Sequence, residues 1–277
     1  MNRFVCGVVT FFPNNEVIKK IDEYSKVFDS VLVFDNTPQS SDKLKVMVNK
    51  PNIYIYSNGE NNGLSEAYNF FMKRADKEFN FLCTMDQDSN FDKLNINAML
   101  NYINKHDMSK VAVVGPKVKY KDEDRIGKDN SVSSKNYLIS SGSFLNLSLL
   151  SLANIHFDPS YFIDRVDTDF CKQCQKKGYQ VIEYSGSVLY QVLGQRIRFS
   201  KLGNHSYKRH YYMFRNRFYF NNKFISNRIK RISVDWLESV KHCSHILFFE
   251  NQKYKKLQQI MFALRDYRQN NMGSGRY

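Results

Sequence analysis

Asp86 and Asp88 stand one residue apart in "FLCTMDQDSNFD" (residues 81–92), where an apolar run of the chain ends. Carboxylates this close repel, and each raises the other's pKa unless a cation or a donor lies between them. Three chemistries suit such a pair: a divalent cation shared with a phosphate, a calcium loop, or an ordinary acidic turn. Asp86, Asp88 and Asn90 match positions 1, 3 and 5 of an EF-hand loop, but Phe91 stands where Gly is needed and Asn97 where Glu is needed. A phosphatase of the D-x-D-G-T type places its pair after the first strand; here the pair follows the fourth apolar run and Ser89–Asn90 come next. What remains besides the acidic turn is a pair sharing Mg²⁺ or Mn²⁺ with a diphosphate, since these hard cations complete their shells with phosphate oxygens and water.

The elements that position this pair alternate. "FVCGVVT" (4–10), "VLVFD" (31–35), "IYIY" (53–56), "FNFLCTM" (79–85) and "VAVVGP" (111–116) read as strands, and 14–28, 64–77 and 92–104 as helices. Strands alternating with helices predict an α/β fold with a mostly parallel, Rossmann-like sheet flanked by helices. Ligands in such sheets bind at the carboxyl ends of strands, where Thr10, Asp35–Asn36, Asn61–Asn62–Gly63 and Asp86–Asp88 all fall. Residues 117–135 are charged and read as an exposed loop or edge hairpin. "NYLISSGSFLNLSLL" (136–150) returns to the core, with Gly142 between serines where backbone can approach a ligand. "YFIDRVDTDFCKQCQKKGY" (161–179) reads as the entry to a helix with its acids near the N-terminus. "QVIEY" and "SVLYQVLG" read as two closing strands, and the pattern turns helical, aromatic and basic from about residue 206. The expected division is a catalytic domain over 1–205 and a helical region over 206–277.

Charge is unevenly distributed. Residues 1–195 carry 23 Lys and Arg against 23 Asp and Glu, while residues 196–277 carry 18 against 4, the whole of the +14 net charge. A basic surface attracts nucleic acid, anionic lipid or phosphorylated substrates, and its sign alone does not choose among them. "WLESVKHCSHILFF" (236–249) adds an apolar helical stripe, so the tail is expected to hold the protein on an anionic membrane surface. No apolar run approaches the length of a membrane span and no leader pattern opens the chain. The five cysteines, Cys171 and Cys174 included, read as structural thiols of a reducing compartment. The location expected is cytoplasmic, peripheral at the inner face of a bacterial membrane.

Taken in order, "VVTFFPNN", "VLVFDNT", "NNGLSEAYN", "MDQDS", "LISSGS", "YFIDRVDTDFC" with "KKGY", and "HSYKRHYYMFRN" span roughly residues 5–220. This ordered set resembles the family-2 glycosyltransferases of the GT-A fold, in particular their bacterial rhamnosyltransferase-like branch. The resemblance implies a nucleoside pocket lined by Thr10, Asp35 and Asn36, with Asp35 accepting from the base or ribose. It implies a diphosphate side shaped by Asn62, Gly63 and Asn69, and Asp86 and Asp88 as the D-x-D pair on Mn²⁺ or Mg²⁺. Ser141, Gly142 and Ser143 would face the donor sugar or acceptor, Asp167 would be the general base, and Arg209, Arg215 and Asn216 would lie near a phosphate. Where the family commonly has a metal-binding histidine this chain has Gln191, with His205 as a further candidate ligand.

The activity so implied is an inverting, metal-dependent hexosyltransferase. It would move rhamnose or a hexose, from dTDP-rhamnose or a UDP-hexose, to a hydroxyl of a lipid-linked or oligosaccharide precursor of a bacterial surface polysaccharide such as capsule or O-antigen. Nucleic acid is not an expected partner, and a homodimer stays open. Two rivals are a sugar-nucleotide nucleotidyltransferase and a nucleic-acid-binding protein. The first would show a Gly-rich N-terminal loop that "VVTFFPNN" lacks; the second would leave the strand-end carboxylates without a purpose. Asp167 and Asp169 lie two apart, so on a helix they do not share a face, which favours a single base.

Overall fold

β1 (Phe4–Thr10), "FVCGVVT", is buried along its whole length, as expected of a Val-rich strand covered on both faces. It pairs in parallel with β2 (Ser30–Asp35) on one side and β4 (Phe81–Asp86) on the other. β3 (Ile53–Tyr56) extends the sheet beyond β2. β7 (Ser143–Asn146) runs antiparallel between β4 and β5 (Val111–Tyr120), followed by β8 (Gln180–Gln191) and β6 (Val132–Ser134). The order is therefore β3-β2-β1-β4-β7-β5-β8-β6. The chain leaves β1 toward β2 and returns to β4 on β1's other side, so a crevice opens at the carboxyl ends of β1 and β4. Thr10 and Asp86 are the last residues of those two strands.

These coordinates are a computed structural model describing residues 1–120, 129–191, 196–197, 200–203 and 205–275. Part of the charged 117–135 segment and the end of "LYQVLG" lie outside the described residues. The chain divides into two compact units: Met1–Asp158 with Asp167–Val192, and Pro159–Val166 with Leu193–Tyr277.

In the first unit, α1 (Asn15–Ser25), α2 (Gly63–Ala75), α3 (Lys93–Lys105), α4 (Leu147–Ala153) and α5 (Val166–Lys176, its first residue in the other unit) flank the sheet. Asn14 caps α1 by accepting from the Val17 N–H at 3.0 Å, and Asp92 caps α3 from the Asn95 N–H at 2.8 Å. Each such cap contributes on the order of 1 kcal/mol. Val17 and Ile21 of α1 and Ile96, Met99 and Ile103 of α3 point into the core with Val8, Val31, Val33, Cys83, Met85 and Phe144.

The sheet differs from the sequence expectation in two places. Lys117–Tyr120 continue β5 rather than starting a loop. The two expected closing strands are one strand, β8, because its register against β5 jumps from Pro116↔Tyr184 to Lys117↔Val188. Gly186 sits in that bulge, where the Tyr184 ring and the Asn130 amide occupy the space a Cβ would need. Cys171 and Cys174 lie one turn apart on α5, and burial raises both thiols, that of Cys171 to about 12.

The second unit holds a two-stranded ribbon, β9 (Arg196–Ile197) with β10 (Ser200–Gly203), and three helices: α6 (Tyr207–Phe224), α7 (Arg228–Phe249) and α8 (Lys253–Arg268). Tyr211, Tyr212, Phe214, Ile246, Ile260 and Ala263 form its apolar core. Beside that core lies a buried polar chain. His242 Nε2 meets His210 Nδ1 at 2.8 Å, and His210 Nε2 meets Glu250 Oε2 at 2.9 Å. His245 Nδ1 reaches Glu250 Oε1 at 2.9 Å, and Lys256 donates to Glu250 as well. With Glu250 accepting, His210 carries its proton on Nε2 and takes the His242 proton at Nδ1.

Burial lowers the pKa of His210 and His242, the latter to about 3, with His210 and Arg217 reinforcing the effect at His242. At Glu250 burial opposes ionisation, but the Lys256 ammonium and His210 outweigh it and bring the carboxyl below its usual range. The unfolded chain therefore binds more protons than the folded one below the ordinary histidine pKa of 6.5, and again below the ordinary glutamate value of 4.5. Stability contributed by these groups is present above those values and is lost as the pH falls. Melting followed by circular dichroism is expected to shift down between about pH 7 and pH 4. His242→Gln, whose amide can replace the Nε2–H donor, should flatten that slope; an unchanged slope would show that other groups govern it.

Candidate active site

The carboxyl ends of β1, β2 and β4 gather the polar residues singled out in the sequence. Asp35 is 1% exposed. Its Oδ1 accepts from Thr10 Oγ1 at 3.2 Å, from the Thr37 N–H at 3.1 Å and from Thr37 Oγ1 at 2.6 Å; its Oδ2 accepts from the Ser41 N–H at 2.7 Å. Three donors from its own loop and Thr10 of β1 thus surround the carboxylate expected to receive a base or ribose, and Asp35 builds the floor rather than reaching out. Asn36 ties the next loop down: its Oδ1 accepts from the Asn62 N–H at 2.9 Å and its amide donates to the Gly63 carbonyl at 3.2 Å. Gly63 has φ +79°, the left-handed backbone that lets the loop turn into α2. Asn69 donates to the Phe157 carbonyl at 2.8 Å and accepts the Phe157 N–H at 2.9 Å, so its amide holds the chain before α5.

Asp86 ends β4 and is framed on two sides. Tyr68 Oη, from α2, donates to its Oδ1 at 3.0 Å. Ser141 Oγ accepts the Asp86 N–H at 3.1 Å and donates to Ser89 Oγ at 2.8 Å. Burial raises the Asp86 pKa, the Asp88 charge raises it further and Asp167 adds to it, while the Tyr68 hydrogen bond opposes them; the result is about 6. Asp88 is exposed, and its carboxylate makes no hydrogen bond or ion pair among the described residues. The turn is fixed from outside by Lys20 Nζ, which donates to the carbonyls of Ser89 at 2.9 Å and Gln87 at 3.3 Å. Asn90 and Tyr190 exchange backbone hydrogen bonds at 2.8 and 3.0 Å, which sets the turn beside the end of β8, one residue from Gln191.

Asp167 opens α5 half-buried, with its Oδ1 accepting the Thr168 N–H at 2.8 Å and Thr168 Oγ1 at 3.3 Å. Asp169 is fully buried and receives the Gln173 amide at 2.6 Å. Of the two, Asp167 is the one whose charge reaches both Asp86 and Tyr68.

The Ser141–Ser143 stretch lies behind the carboxylates. Ser143 Oγ donates to the Ile139 carbonyl at 2.6 Å. Gly142 has φ +78°, gives its N–H to the Thr84 carbonyl at 2.7 Å, and a Cβ there would stand 3.1 Å from Pro116 and 3.2 Å from Leu189. Its lack of a side chain serves the turn and the packing. All three residues are buried: they brace the site from within and do not line an open surface.

In the second unit, Arg215 is fully buried: its donors reach Asn216 Oδ1, Tyr211 Oη, the Asn271 carbonyl at 3.2 Å and the Gly273 carbonyl at 2.6 Å. The Asn216 amide donates to the carbonyls of Ile163 at 2.7 Å and Asp164 at 3.1 Å, and Arg209 pairs with Asp164 at 3.2 Å. Arg215 and Asn216, expected near a phosphate, thus hold backbone instead, because a guanidinium taken out of water must fill its donors with fixed carbonyls. Asp164 and Arg165 have φ of 60° and 68°, a left-handed pair immediately before α5. His205 is half-buried, and burial together with Arg209 and His210 lowers its pKa.

Sequence reading missed Tyr68, Lys20, Gln87 and the aromatic pair Phe11–Phe12. Gln87 holds the Phe11 backbone from both sides at 2.9 Å. Phe11 and Phe12, 43% and 63% exposed, stand edge to face with centroids 4.6 Å apart at the end of β1. Two phenylalanines following a strand and preceding Pro13 were the available signal. Among the described residues, no three His, Cys, Asp or Glu side chains meet as a metal cage. A pair of carboxylates, one exposed without a partner and the other destabilised by its neighbour's charge, fits a cation that takes the rest of its shell from a diphosphate and water.

The family model described as "Glycosyl transferase family 2" matches residues 17–163. No curated protein sequence matches the chain. Among solved structures, S. aureus TarS residues 1–349 in complex with UDP-GlcNAc superposes with a TM-score of 0.60 at 17% identity, over 96% of this chain and 81% of that one. GalNAc-T7 with UDP, GalNAc and Mn²⁺ gives 0.59 at 9% identity, over 78% of this chain and 46% of that one. At these identities the likeness is one of fold.

The raised pKa of Asp86 carries a testable cost. Its contribution favours the fold below the ordinary value of 3.8 and is lost as the pH rises through about 6. Asp86→Asn keeps an acceptor for Tyr68 and removes the partly buried charge. In a chelator at neutral pH it should raise the melting temperature, on the order of 3 °C. A lowered melting temperature would mean that the charge is already balanced within the chain.

Proposed function

Since this chain belongs to glycosyl transferase family 2 and is built on the GT-A fold, we propose that it is an inverting transferase acting on a nucleoside diphosphate sugar. The sugar would pass to a hydroxyl of a lipid-linked or oligosaccharide precursor of a bacterial surface polysaccharide. The observation that carries this reading is the gathering of Asp86 and Asp88 at the carboxyl end of β4 within reach of the Asp167 charge, where burial, then Asp88 and Asp167, raise the pKa of Asp86 to about 6.

Asp88 and Asp86 would hold Mn²⁺ or Mg²⁺, with Gln191 as a neighbour on β8. When bound, such an ion neutralises the charge that develops on a departing diphosphate. Tyr68 holds the Asp86 carboxylate in place by donating to it, a role secured by burial, which keeps the phenol protonated. Thr10, Asp35, Asn36, Asn62 and Gly63 form the floor of the nucleoside pocket, and exposed Phe11 and Phe12 offer ring faces on which a base can stack. Asp167 takes the proton of the attacking hydroxyl, with Thr168 fixing its orientation. One base and one stabilised leaving group, on opposite faces of the sugar, give inversion. The rhamnosyltransferase-like motifs favour dTDP-rhamnose as donor. A UDP-hexose is the second reading, supported by the UDP-GlcNAc and UDP bound in the two structural neighbours. Hydrolysis of a panel of activated sugars, with and without Mn²⁺, separates the two.

Asp88→Asn should lower transfer by at least about 10²-fold and abolish the Mn²⁺ dependence of nucleotide binding. Full activity in EDTA would remove the pair from the reaction. Asp167→Asn should lose about 10²–10⁴-fold in kcat while nucleotide affinity, read by thermal shift, stays near that of the parent. A matching loss of donor binding would make Asp167 part of the nucleotide site instead of the base. Gln191→His should tighten the Mn²⁺ titration, since imidazole binds the ion better than an amide oxygen.

A further inference from the structure

α7 turns an apolar stripe to solvent. Ile229, Ile232, Trp236, Val240 and Leu247 recur at helical spacing on one face and are 78%, 55%, 67%, 45% and 46% exposed. Ile246, about 100° round the helix from Leu247, is fully buried in the helical core. The stripe borders the face that packs, on which Ile246 and Cys243 meet the helical core, and its own five side chains stay exposed. α7 has 22 residues, so the stripe runs roughly 30 Å.

The charges around it are of one sign. Arg228, Lys230 and Lys241 on α7 and Lys253 and Lys255 at the start of α8 are exposed. The four acidic residues of the three helices and their connections are not: Asp235 and Glu238 are partly buried, and Glu250 and Asp266 are buried. Asp235 and Glu250 are also engaged by Asn221 and by Lys256. Every exposed ionic side chain described on α6, α7 and α8 is a cation.

We infer that α7 lies in the plane of a bilayer containing anionic lipid, with Ile229, Ile232, Trp236, Val240 and Leu247 entering the headgroup–acyl boundary and the lysines and arginines beside them meeting lipid phosphates. A second copy of this chain is the competing occupant of the stripe. It would bring the same cations against these, with no exposed carboxylate among the described residues of α6–α8 to answer them, and like charges set against each other oppose association. The helix lies on the membrane and does not cross it: no described helix is long and apolar enough to span one.

Trp236 is the only tryptophan of the chain, so the emission of the full-length protein reports on α7 alone. With vesicles of phosphatidylcholine and phosphatidylglycerol, the emission should shift to the blue and become shielded from acrylamide. With phosphatidylcholine alone it should do neither, and added salt should weaken the effect. In flotation, Trp236→Glu should lose about ten-fold or more in partitioning, while Trp236→Phe floats like the parent. Trp236 is exposed, so both variants should keep the parent's circular dichroism. Three results would overturn the inference: unchanged emission when the protein floats, Trp236→Glu partitioning like the parent, or a lipid-free blue shift that grows with protein concentration alongside a dimer in sedimentation. The last would assign the stripe to a second copy. These readouts are independent of sugar transfer.

Discussion

The first unit is organised around a repulsion. Asp86 is carried to the end of β4 by a buried strand, where burial first, then Asp88 two residues on and the Asp167 charge, drive its carboxyl toward the neutral form. The surrounding structure holds this arrangement without cancelling it. Tyr68 supplies one neutral donor, Ser141 takes the backbone N–H, and Lys20 binds carbonyls of the turn. No described ion pair neutralises Asp88. A carboxylate pair that keeps its negative charge uncompensated in this way is chemically suited to a positive ligand.

The second unit faces the opposite problem, an excess of positive charge, and solves it by sorting. Its few carboxylates are drawn inward, where Glu250 serves two histidines and Lys256, and Asp266 accepts from Tyr211 at 2.7 Å. Its surplus cations are left outside. A buried carboxylate meeting several donors is well satisfied, and the exposed ionic side chains described on α6–α8 are all of one sign.

Much of this was legible in the sequence because the sheet is built from long, evenly apolar strands. "FVCGVVT" and "VLVFD" could hardly be anything else, and the carboxylate pair stood where β4 stops. β8 was misread as two strands because the skip of residues at Gly186 breaks the apolar pattern but not the strand. Arg215 was misplaced because its partners, Asn271 and Gly273, come 56 and 58 residues later, beyond the reach of local pattern. Asp35 is different: Thr37 and Ser41 lie within six residues, so an aspartate closing on its own loop could have been read from "DNTPQSS".

The segment 159–166 bears on how this protein can be dissected. It precedes α5 in sequence, yet its support comes from far downstream: Tyr161 bridges to Gly273, the Asn216 amide caps the carbonyls of Ile163 and Asp164, and Arg209 pairs with Asp164. Asp164 and Arg165 occupy left-handed backbone that side-chain-bearing residues rarely hold without such help. A fragment that stops after β8 would keep every strand of the large sheet and both D-x-D carboxylates. It would lose what holds the backbone directly ahead of Asp167. The second unit thus includes a segment that precedes α5, and a fragment that keeps that segment's own support has to extend to about residue 273.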